Sequence, residues 1–231
     1  MTVVLYDLAG EGESRFSPHC WVTQLALAHK GLGTELVPTK FTEVTAIGDG
    51  TFTTVPVIND NGTWVGDSWR IANYLEEQYP GGPSLFGSAS NHPLIMFARN
   101  WSLCTQIPGI ADLILLDVFE HSHADDRDYF RSSREKMFGR TLEEVQAGRE
   151  ARVKAFRRAL HPLRMTLRDQ PYVSGESPAY ADYQLFGPFM WARNASPFEV
   201  LELDDPIRAW CERCLDLFDG LARASRAASV G

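Results

Sequence analysis

Every strand-like stretch of this sequence of 231 residues lies within its first 65 positions, and only helical patterns follow. Short apolar runs at 3–8 and 35–39 predict two strands. Residues 55–58 and 63–65, which flank a turn containing Asn61-Gly62, predict a β-hairpin. A strand, a helix, a second strand and a hairpin in this order form a small mixed sheet covered by helices. The chain therefore combines an α/β region with an all-α region.

The helices are predicted from apolar residues spaced three and four apart. Two are expected in the α/β region, from Ser17 to about Lys30 and from Asp67 to about Tyr79, with a weak, irregular helix at 41–50. The run Pro80-Gly81-Gly82-Pro83 ends the second of these helices, and a linker follows near 83–91. Beyond it, the patterns predict long helices at 93–120, 127–138, 142–168, 180–193 and 206–222. We expect two domains, 1–87 and 88–231.

Composition argues against several classes of function. A net charge of −8 disfavours nucleic acid as the main partner. The N-terminus shows no secretory leader pattern, and no stretch looks long and apolar enough to cross a membrane. The four cysteines are too sparse for a disulfide scaffold, which fits a reducing, cytoplasmic location. The basic stretch 127–168 alternates with apolar positions and is interpreted as the solvated face of helices.

A hydroxyl group is predicted at the start of the first helix. Ser17 followed by Pro18 is a helix-start signal, because serine accepts from free backbone N–H groups and proline suits the first helical position. The positive end of a helix dipole can also hold an anion or a thiolate. Taken alone, Ser17 is either a structural cap or part of a binding site.

Three short motifs make the sequence resemble the glutathione transferase superfamily over nearly its whole length. Ser17-Pro18-His19-Cys20 resembles the C-P-x-C motif of glutaredoxin-type active sites, with serine in place of the first cysteine. Val55-Pro56 resembles the superfamily's cis-proline position, and Asp67-Ser68 its acidic–serine pair at a helix start. The resemblance implies an α/β N-terminal thioredoxin-like domain and an all-α C-terminal helical domain, the glutathione transferase fold.

Further segments resemble the bacterial glutathione-dependent β-aryl etherases and the related fungal class with serine active sites. One departure is Ala179, because transferases usually carry a capping Ser or Thr three residues before Asp182. Ser177-Pro178 is an alternative start for that helix. The segments that carry the resemblance are Leu5-Tyr6-Asp7-Leu8, Ser17-Pro18 with Trp21, Asp67-Ser68-Trp69-Arg70-Ile71-Ala72, Ala181-Asp182-Tyr183, Phe186-Gly187 with Trp191-Ala192-Arg193, and Asp216-Leu217-Phe218-Asp219-Gly220-Leu221-Ala222.

The resemblance implies a role for each motif residue, with glutathione as co-substrate. Ser17 would be the catalytic residue, donating a hydrogen bond to the glutathione sulfur and favouring the reactive thiolate. The backbone of Val55 would pair with the peptide backbone of glutathione, and Asp67 and Ser68 would receive its γ-glutamyl end. The residues expected at the glutathione site are Lys40, Thr54, Val55, Pro56, Asp67 and Ser68.

These residues also have purely structural interpretations. Pro56 can stand at the first position of a strand, and Asp67 can be an ordinary helix cap. Lys40, assigned to the glycine carboxylate of glutathione, can be a solvated surface lysine. The electrophile pocket is expected between the domains, with core packing as the alternative role of its residues, which are Phe16, Trp101, Ile107 and Ile110.

The other cysteines and histidines are not assigned to chemistry. Cys20 lies one turn after the cap and is expected to face the core, with a nucleophilic thiol as the alternative. Cys211 and Cys214 resemble half of a zinc site but lie on the apolar face of the last helix. His121 and His123 stand where a helix runs into a polar loop. We therefore expect no metal.

The resemblance implies a cytoplasmic glutathione transferase that acts on a small aromatic electrophile, with cleavage of a β-aryl ether as the specific reaction. The alternatives are a general conjugating transferase, a non-catalytic binder of aromatic compounds that keeps the glutathione site, and a thiol transferase that uses Cys20. Members of the superfamily usually dimerise through the two domains of opposite subunits, so a homodimer is expected. Neither nucleic acid nor a membrane is an expected partner.

Overall fold

A mixed four-stranded sheet forms the centre of the N-terminal domain. The computed structural model describes residues 2–225 and 227–228. The strands are β1 (Thr2–Leu8), β2 (Gly33–Thr39), β3 (Val57–Asp60) and β4 (Thr63–Gly66), in the spatial order β2-β1-β3-β4. β1 pairs in parallel with β2 and antiparallel with β3, and β3 and β4 form the hairpin. The predicted mixed sheet is confirmed.

Two helices connect and cover the sheet. α1 (Pro18–His29) is the crossover that the parallel pair of strands requires, and α2 (Ser68–Gln78) follows β4. α1 is buried from Cys20 to Leu27, because the sheet covers one face and the second domain covers the other. The weak helix predicted at 41–50 is a short 3₁₀ segment, Phe41–Ala46.

Helices make up the second domain, as predicted. One long helix is built from α3 (His92–Trp101), a π-helical segment (Ser102–Gln106) and α4 (Ile107–His121). Inside the π segment, the Ser102 hydroxyl donates to the side-chain oxygen of Gln106 at 2.9 Å. The other helices are α5 (Arg127–Phe138), α6 (Leu142–Gln146), α7 (Arg149–Ala159), α8 (His161–Asp169), α9 (Tyr180–Ala195) and α10 (Pro206–Leu215).

Two predicted helices are too long. The stretch 142–168 divides into α6, α7 and α8, because Gly148 is left-handed (φ +69°) and Pro162 stands in the first turn of α8, where its missing N–H is tolerated. The last helix, predicted to reach 222, ends at Leu215. Phe218 and Asp219 have φ values of 52° and 57°, so Leu217–Gly220 is a separate irregular turn.

The long helix corrects the expectation about apolar length. His92–His121 has 30 residues and is long and apolar enough, by length and composition alone, to span a membrane. Half of its most apolar stretch is buried, and α3 and α4 both pack against α9. In the described structure this segment is the central helix of the second domain.

The start of α9 is stabilised by a side chain of the helix itself, that of Asp182. Ala179 is the N-cap residue, so the alternative start at Ser177-Pro178 is not used. The Asp182 carboxylate, which is fully buried, accepts hydrogen bonds from the segment that precedes α9 and from α10. It therefore connects these two parts of the chain. Its donors are the backbone N–H groups of Val173, Ser174 and Ala179 and the indole N–H of Trp210.

α1 and α9 pack at close range, which joins the two domains near Ser17. A β-carbon on Gly187 would lie 2.4 Å from the carbonyl oxygen of Pro18 and 2.9 Å from the Val22 side chain. Only glycine permits this approach without a shift of one helix. The helical domain therefore positions the N-terminal end of α1.

Candidate functional site

The Ser17 hydroxyl lies at the N-terminal end of α1, as predicted. Its oxygen accepts a hydrogen bond from the backbone N–H of Cys20 at 3.3 Å, and Pro18 occupies the first helical position. The residue is 5 % exposed. Because the oxygen acts as an acceptor in this bond, the hydroxyl proton is left to be donated to another group. Ser17 is thus a helix cap that can also serve as a donor.

Both domains hold the loop that leads to Ser17. The carbonyl oxygen of Arg15 accepts from the indole N–H of Trp21 at 2.8 Å and from the side-chain amide of Asn194 at 2.7 Å. Asn194 lies on α9 and was not singled out from the sequence. A lone asparagine near the end of a helix carries no signal that identifies such a contact.

A buried carboxyl group lies beneath the start of α1. One oxygen of Asp7 accepts from the Gln24 amide at 2.8 Å. The other oxygen has no hydrogen-bond partner in the described part of the chain, and the Cys20 thiol is a neighbour of the carboxyl group. Burial raises the pKa of Asp7 to about 6, against the opposing charge of Arg15 at 3.6 Å.

Cys20 faces the core, as predicted. It is fully buried, and burial raises the pKa of its thiol well above the ordinary value, with the charge of Asp7 acting in the same direction. A thiol in this environment stays protonated at neutral pH, whereas the thiolate is the nucleophilic form. The nearby hydroxyl of Ser17, which lies at the helix end, is better placed to meet a ligand.

The Val55–Pro56 peptide bond is cis, as the resemblance implies. The carbonyl oxygen of Pro56 accepts from the backbone N–H of Asp67 at 3.1 Å, so the cis-proline and the start of α2 are neighbours. Pro56 is buried, Val55 is half-buried and Thr54 is exposed. Two of the predicted glutathione-binding motifs therefore come together.

Asp67 has a strained backbone. Its φ of 72° lies in a region that side-chain-bearing residues rarely adopt and that occurs at functional sites. One carboxylate oxygen accepts from the backbone N–H groups of Trp69 and Arg70, both at 3.0 Å. Ser68 is buried at the first helical position. Asp67 is thus an N-cap with a second oxygen left over.

Arg99 brings a positive charge to that second oxygen. Its guanidinium lies 3.7 Å from the Asp67 carboxylate, longer than a direct hydrogen bond. Burial lowers the pKa of His19, and the charges of Asp67 and Arg99 act on it in opposite directions, so the three side chains are neighbours. Arg99 was not predicted, because it comes from α3 in the other domain and nothing in the sequence distinguishes it from other helical arginines.

Lys40 is held by the helical domain. Its amino group donates to the Asp125 carboxylate at 2.6 Å; this contact raises the pKa of Lys40 and lowers that of Asp125. The neighbouring Asp126 is buried and accepts from the backbone N–H groups of Phe41 and Thr42. The segment after β2 is therefore fixed in place, and Lys40 is already engaged.

The four residues predicted for the electrophile pocket differ in exposure. Phe16 and Ile110 are 2 % and 0 % exposed and belong to the core. Trp101 and Ile107 are half-buried and flank the π segment of the long helix. The ring of Phe16 lies 6.5 Å from that of Phe41, which begins a group of aromatic side chains beside the loop.

Two surface cavities lie elsewhere on the molecule. One of about 810 Å³ opens between α7, α8 and the start of α10, and one of about 230 Å³ lies beside α9 and α10. None of the predicted site residues lines them. In residues 2–225 and 227–228, no three His, Cys, Asp or Glu side chains are grouped so that they could hold a metal ion.

A thioredoxin-like domain with a cis-proline, followed by an all-helical domain, defines the class of proteins with the glutathione transferase fold. The family model of the glutathione S-transferase N-terminal domain matches residues 13–83, and that of the C-terminal domain matches residues 96–216. The chain belongs to the glutathione S-transferase family.

Solved fungal glutathione transferases share the fold over nearly the whole chain. GSTFuA2 from Phanerochaete chrysosporium is 26 % identical with a TM-score of 0.77, covering 99 % of this chain and 100 % of that one. GSTFuA3 from the same fungus is 24 % identical with a TM-score of 0.77, covering 100 % and 99 %. A glutathione S-transferase of Ceriporiopsis subvermispora, solved in complex with glutathione, is 22 % identical with a TM-score of 0.75 and covers 99 % of each chain.

A curated relative is the glutathione S-transferase-like protein ustS of Aspergillus flavus. It is 27 % identical over 137 residues, which are 54 % of this chain and 49 % of the relative. The chain thus spans about half the length of this relative. The likeness agrees with the family assignment.

Proposed function

We propose that the protein is a glutathione-dependent transferase that acts on an aromatic electrophile, with cleavage of a β-aryl ether as its specific reaction. The glutathione sulfur attacks the carbon that bears the aryloxy group, so a carbon–sulfur bond forms and the carbon–oxygen bond breaks. The aryloxide leaves with the electron pair and then takes up a proton. The observation that carries the proposal is the Ser17 hydroxyl at the start of α1. The glutathione bound to the Ceriporiopsis neighbour supports the choice of co-substrate.

Ser17 stabilises the thiolate of glutathione. A free thiol has a pKa of about 8.5 and is mostly protonated at neutral pH. The hydroxyl donates to the sulfur, and the N-terminal end of α1 adds positive potential. Lowering the thiol pKa by ~2 units corresponds to ~2.7 kcal/mol in favour of the thiolate. The burial of Cys20 argues against a thiol transferase that uses that residue.

The local geometry supports the remaining proposed glutathione contacts. The Val55 backbone beside the cis bond pairs with the peptide backbone of the ligand. The carboxylate oxygen of Asp67 that is not used in capping binds the γ-glutamyl ammonium group, and Ser68 with the start of α2 receives the carboxylate. Lys40 reaches the glycine carboxylate by leaving Asp125, so the two carboxylates compete for one amino group.

The electrophile binds between the domains. Trp101 and Ile107 are the better candidates for direct contact, because they are half-buried, whereas Phe16 and Ile110 support the wall from the core. Leu94 and Phe97 on α3 are 70 % and 72 % exposed, an apolar face that fits the proposed homodimer. A cytoplasmic location agrees with the use of glutathione and free cysteines.

The test is the release of a fluorescent phenol from a model β-aryl ether, with and without glutathione. We expect the phenol to be released only when glutathione is present. Ser17→Ala should lower kcat/KM by about tenfold or more, because the donor to sulfur is lost. Ser17→Thr is the matched control, since it keeps both the hydroxyl and the cap. Full activity of Ser17→Ala would contradict the assigned role.

Other outcomes separate the alternative functions. Conjugation of other aromatic electrophiles without phenol release would indicate a general conjugating transferase. Binding of glutathione and aromatic compounds without turnover would indicate a non-catalytic binding protein. Loss of mixed-disulfide reduction in Cys20→Ser would indicate the thiol transferase.

A further inference from the structure

One arginine of the helical domain lacks the partners that comparable arginines have. Other half-buried arginines meet a carboxylate, as Arg149 does, or donate to a backbone carbonyl, as Arg213 does to Pro171. In the described part of the chain, the guanidinium of Arg134 on α5 does neither and donates only to the hydroxyl of its neighbour Ser133, at 3.0 Å. Acidic partners are not scarce, because the sequence has 30 Asp and Glu against 22 Lys and Arg.

The environment of Arg134 desolvates its charge without neutralising it. Burial lowers the pKa of Arg134, since a charge removed from water is disfavoured. The guanidinium carbon lies 5.4 Å from the ring centre of Phe41 and 5.0 Å from that of Phe130. Aromatic faces attract and orient a cation, but they carry no net charge. The oriented positive charge is therefore available to an anion.

This charge lies beside the candidate site. The ring of Phe41, which faces Arg134, is 6.5 Å from that of Phe16, the residue before Ser17. Tyr129 is 46 % exposed, and its ring lies 6.2 Å from that of Phe41. Phe41 and Tyr129 thus form a partly exposed aromatic surface next to the guanidinium.

We propose that Arg134 selects an aromatic electrophile that carries a carboxylate. The aromatic ring of the substrate packs on Phe41 and Tyr129, and its carboxylate accepts from the guanidinium. The planar fork of arginine suits this task, because it can donate two parallel hydrogen bonds to one carboxylate. The inference rests on the proposed transferase function and names its substrate class, with Phe41 and Tyr129 in place of Trp101 and Ile107 as the contacts of the aromatic ring.

Glutathione is a second possible source of the carboxylate, through its glycine end. The aromatic surface favours the electrophile, because an aliphatic glycine has no ring to pack on Phe41 and Tyr129. The first experiment compares two ligands that differ in charge alone. The second measures whether the KM for glutathione depends on Arg134.

The first experiment measures the affinity of the full chain for a naphthalene carboxylate and for the corresponding carboxamide. We expect the wild-type protein to bind the acid about tenfold more tightly than the amide, as a charge-assisted hydrogen bond predicts. Arg134→Gln should remove this preference, and Arg134→Lys should keep part of it. Arg140→Gln is the matched control, because it removes the same charge at an exposed arginine that lies just beyond α5.

The ratio of the two affinities separates recognition from a structural role. A variant that only destabilises α5 would weaken the binding of both ligands equally, and its thermal unfolding temperature would fall. An unchanged acid-to-amide ratio in Arg134→Gln would overturn the proposal. So would a raised KM for glutathione in that variant with the ratio unchanged, because the carboxylate would then be that of glutathione.

The binding test does not depend on turnover. An acid preference that disappears in Arg134→Gln, without phenol release from any ether, would support the role of Arg134 and contradict the proposed reaction. Phenol release without any acid preference would support the reaction and contradict the role of Arg134.

Discussion

Two fully buried carboxylates, Asp182 and Asp7, are surrounded in different ways. Asp182 accepts from three backbone N–H groups and one indole N–H, and these donors come from both sides of α9. Asp7 has one strong donor, the Gln24 amide, and a pKa raised to about 6 by burial. A complete set of donors thus makes a buried carboxylate a structural anchor, whereas an incomplete set leaves a group that titrates beneath Ser17.

The largest effect is expected from removing the anchor. Asp182→Ala leaves the buried indole N–H of Trp210 and three partly buried backbone N–H groups without their acceptor, so we expect a loss of about 3–5 kcal/mol in the free energy of unfolding. Urea unfolding at neutral pH measures it. Asp204→Ala, at an exposed position, is the control and should change stability by less than about 0.5 kcal/mol. A small loss in Asp182→Ala would remove the distinction between the two carboxylates.

A second effect distinguishes them by pH. The folded-state pKa of Asp7, about 6, lies above its ordinary value of 3.8, so the folded protein binds this proton more tightly than the unfolded chain. The resulting stability is fully present below about pH 4 and is lost as the pH rises through about 6. The loss amounts to about 3 kcal/mol, because the pKa of Asp7 rises from 3.8 to about 6 on folding.

Asp7→Asn should flatten this pH dependence, because asparagine stays neutral. The measurement is the free energy of unfolding at several values between about pH 4 and pH 7, in wild type and variant. The variant should be the more stable of the two at the upper end of that range. An equal slope in both proteins would mean that another group causes the pH dependence.

An intermediate effect tests the contact that links the two regions. Gly187→Ala places a β-carbon 2.4 Å from the carbonyl oxygen of Pro18, so α1 and α9 must move apart. We expect a loss of about 1–3 kcal/mol, together with a lower kcat/KM because Ser17 moves with α1. Gly81→Ala is the matched control, since a β-carbon there meets no atom within 4 Å. If Gly187→Ala lost stability but kept its activity, the position of Ser17 would not depend on this contact.

The sequence predicted one side of the candidate site better than the other, for a physical reason. Ser17 and Asp67 are helix caps, which residues adjacent in sequence determine, so short motifs predict them. The cis bond before Pro56 is implied by the family resemblance alone, because the sequence around it fits a proline at the start of a strand equally well. The hairpin was predicted in the same way as the caps, from Asn61-Gly62 between two apolar runs.

The contacts of Arg99 and Arg134 could not be predicted in this way. Each contact depends on how a helix of the second domain packs against the first domain. The contacting residues lie far apart in the sequence, so no local pattern predicts them. The breaks near Gly148 and Pro162 were missed for a related reason. Apolar periodicity continues across them, and a single glycine inside a helical pattern is a weak stop signal.

The smallest effect is expected at a third kind of carboxylate, exposed and ion-paired. Asp125 lies 2.6 Å from the Lys40 amino group, and an exposed pair of this kind contributes little to stability. Asp125→Asn should therefore leave unfolding unchanged and leave Lys40 with the more distant Glu43, at 3.7 Å, as its ion-pair partner. We expect the KM for glutathione to fall by less than about fivefold. Lys40→Gln should raise KM, and the double variant should match Lys40→Gln, because Asp125 acts through Lys40. If Asp125→Asn still lowered KM in the Lys40→Gln background, competition for that amino group would not be its mode of action.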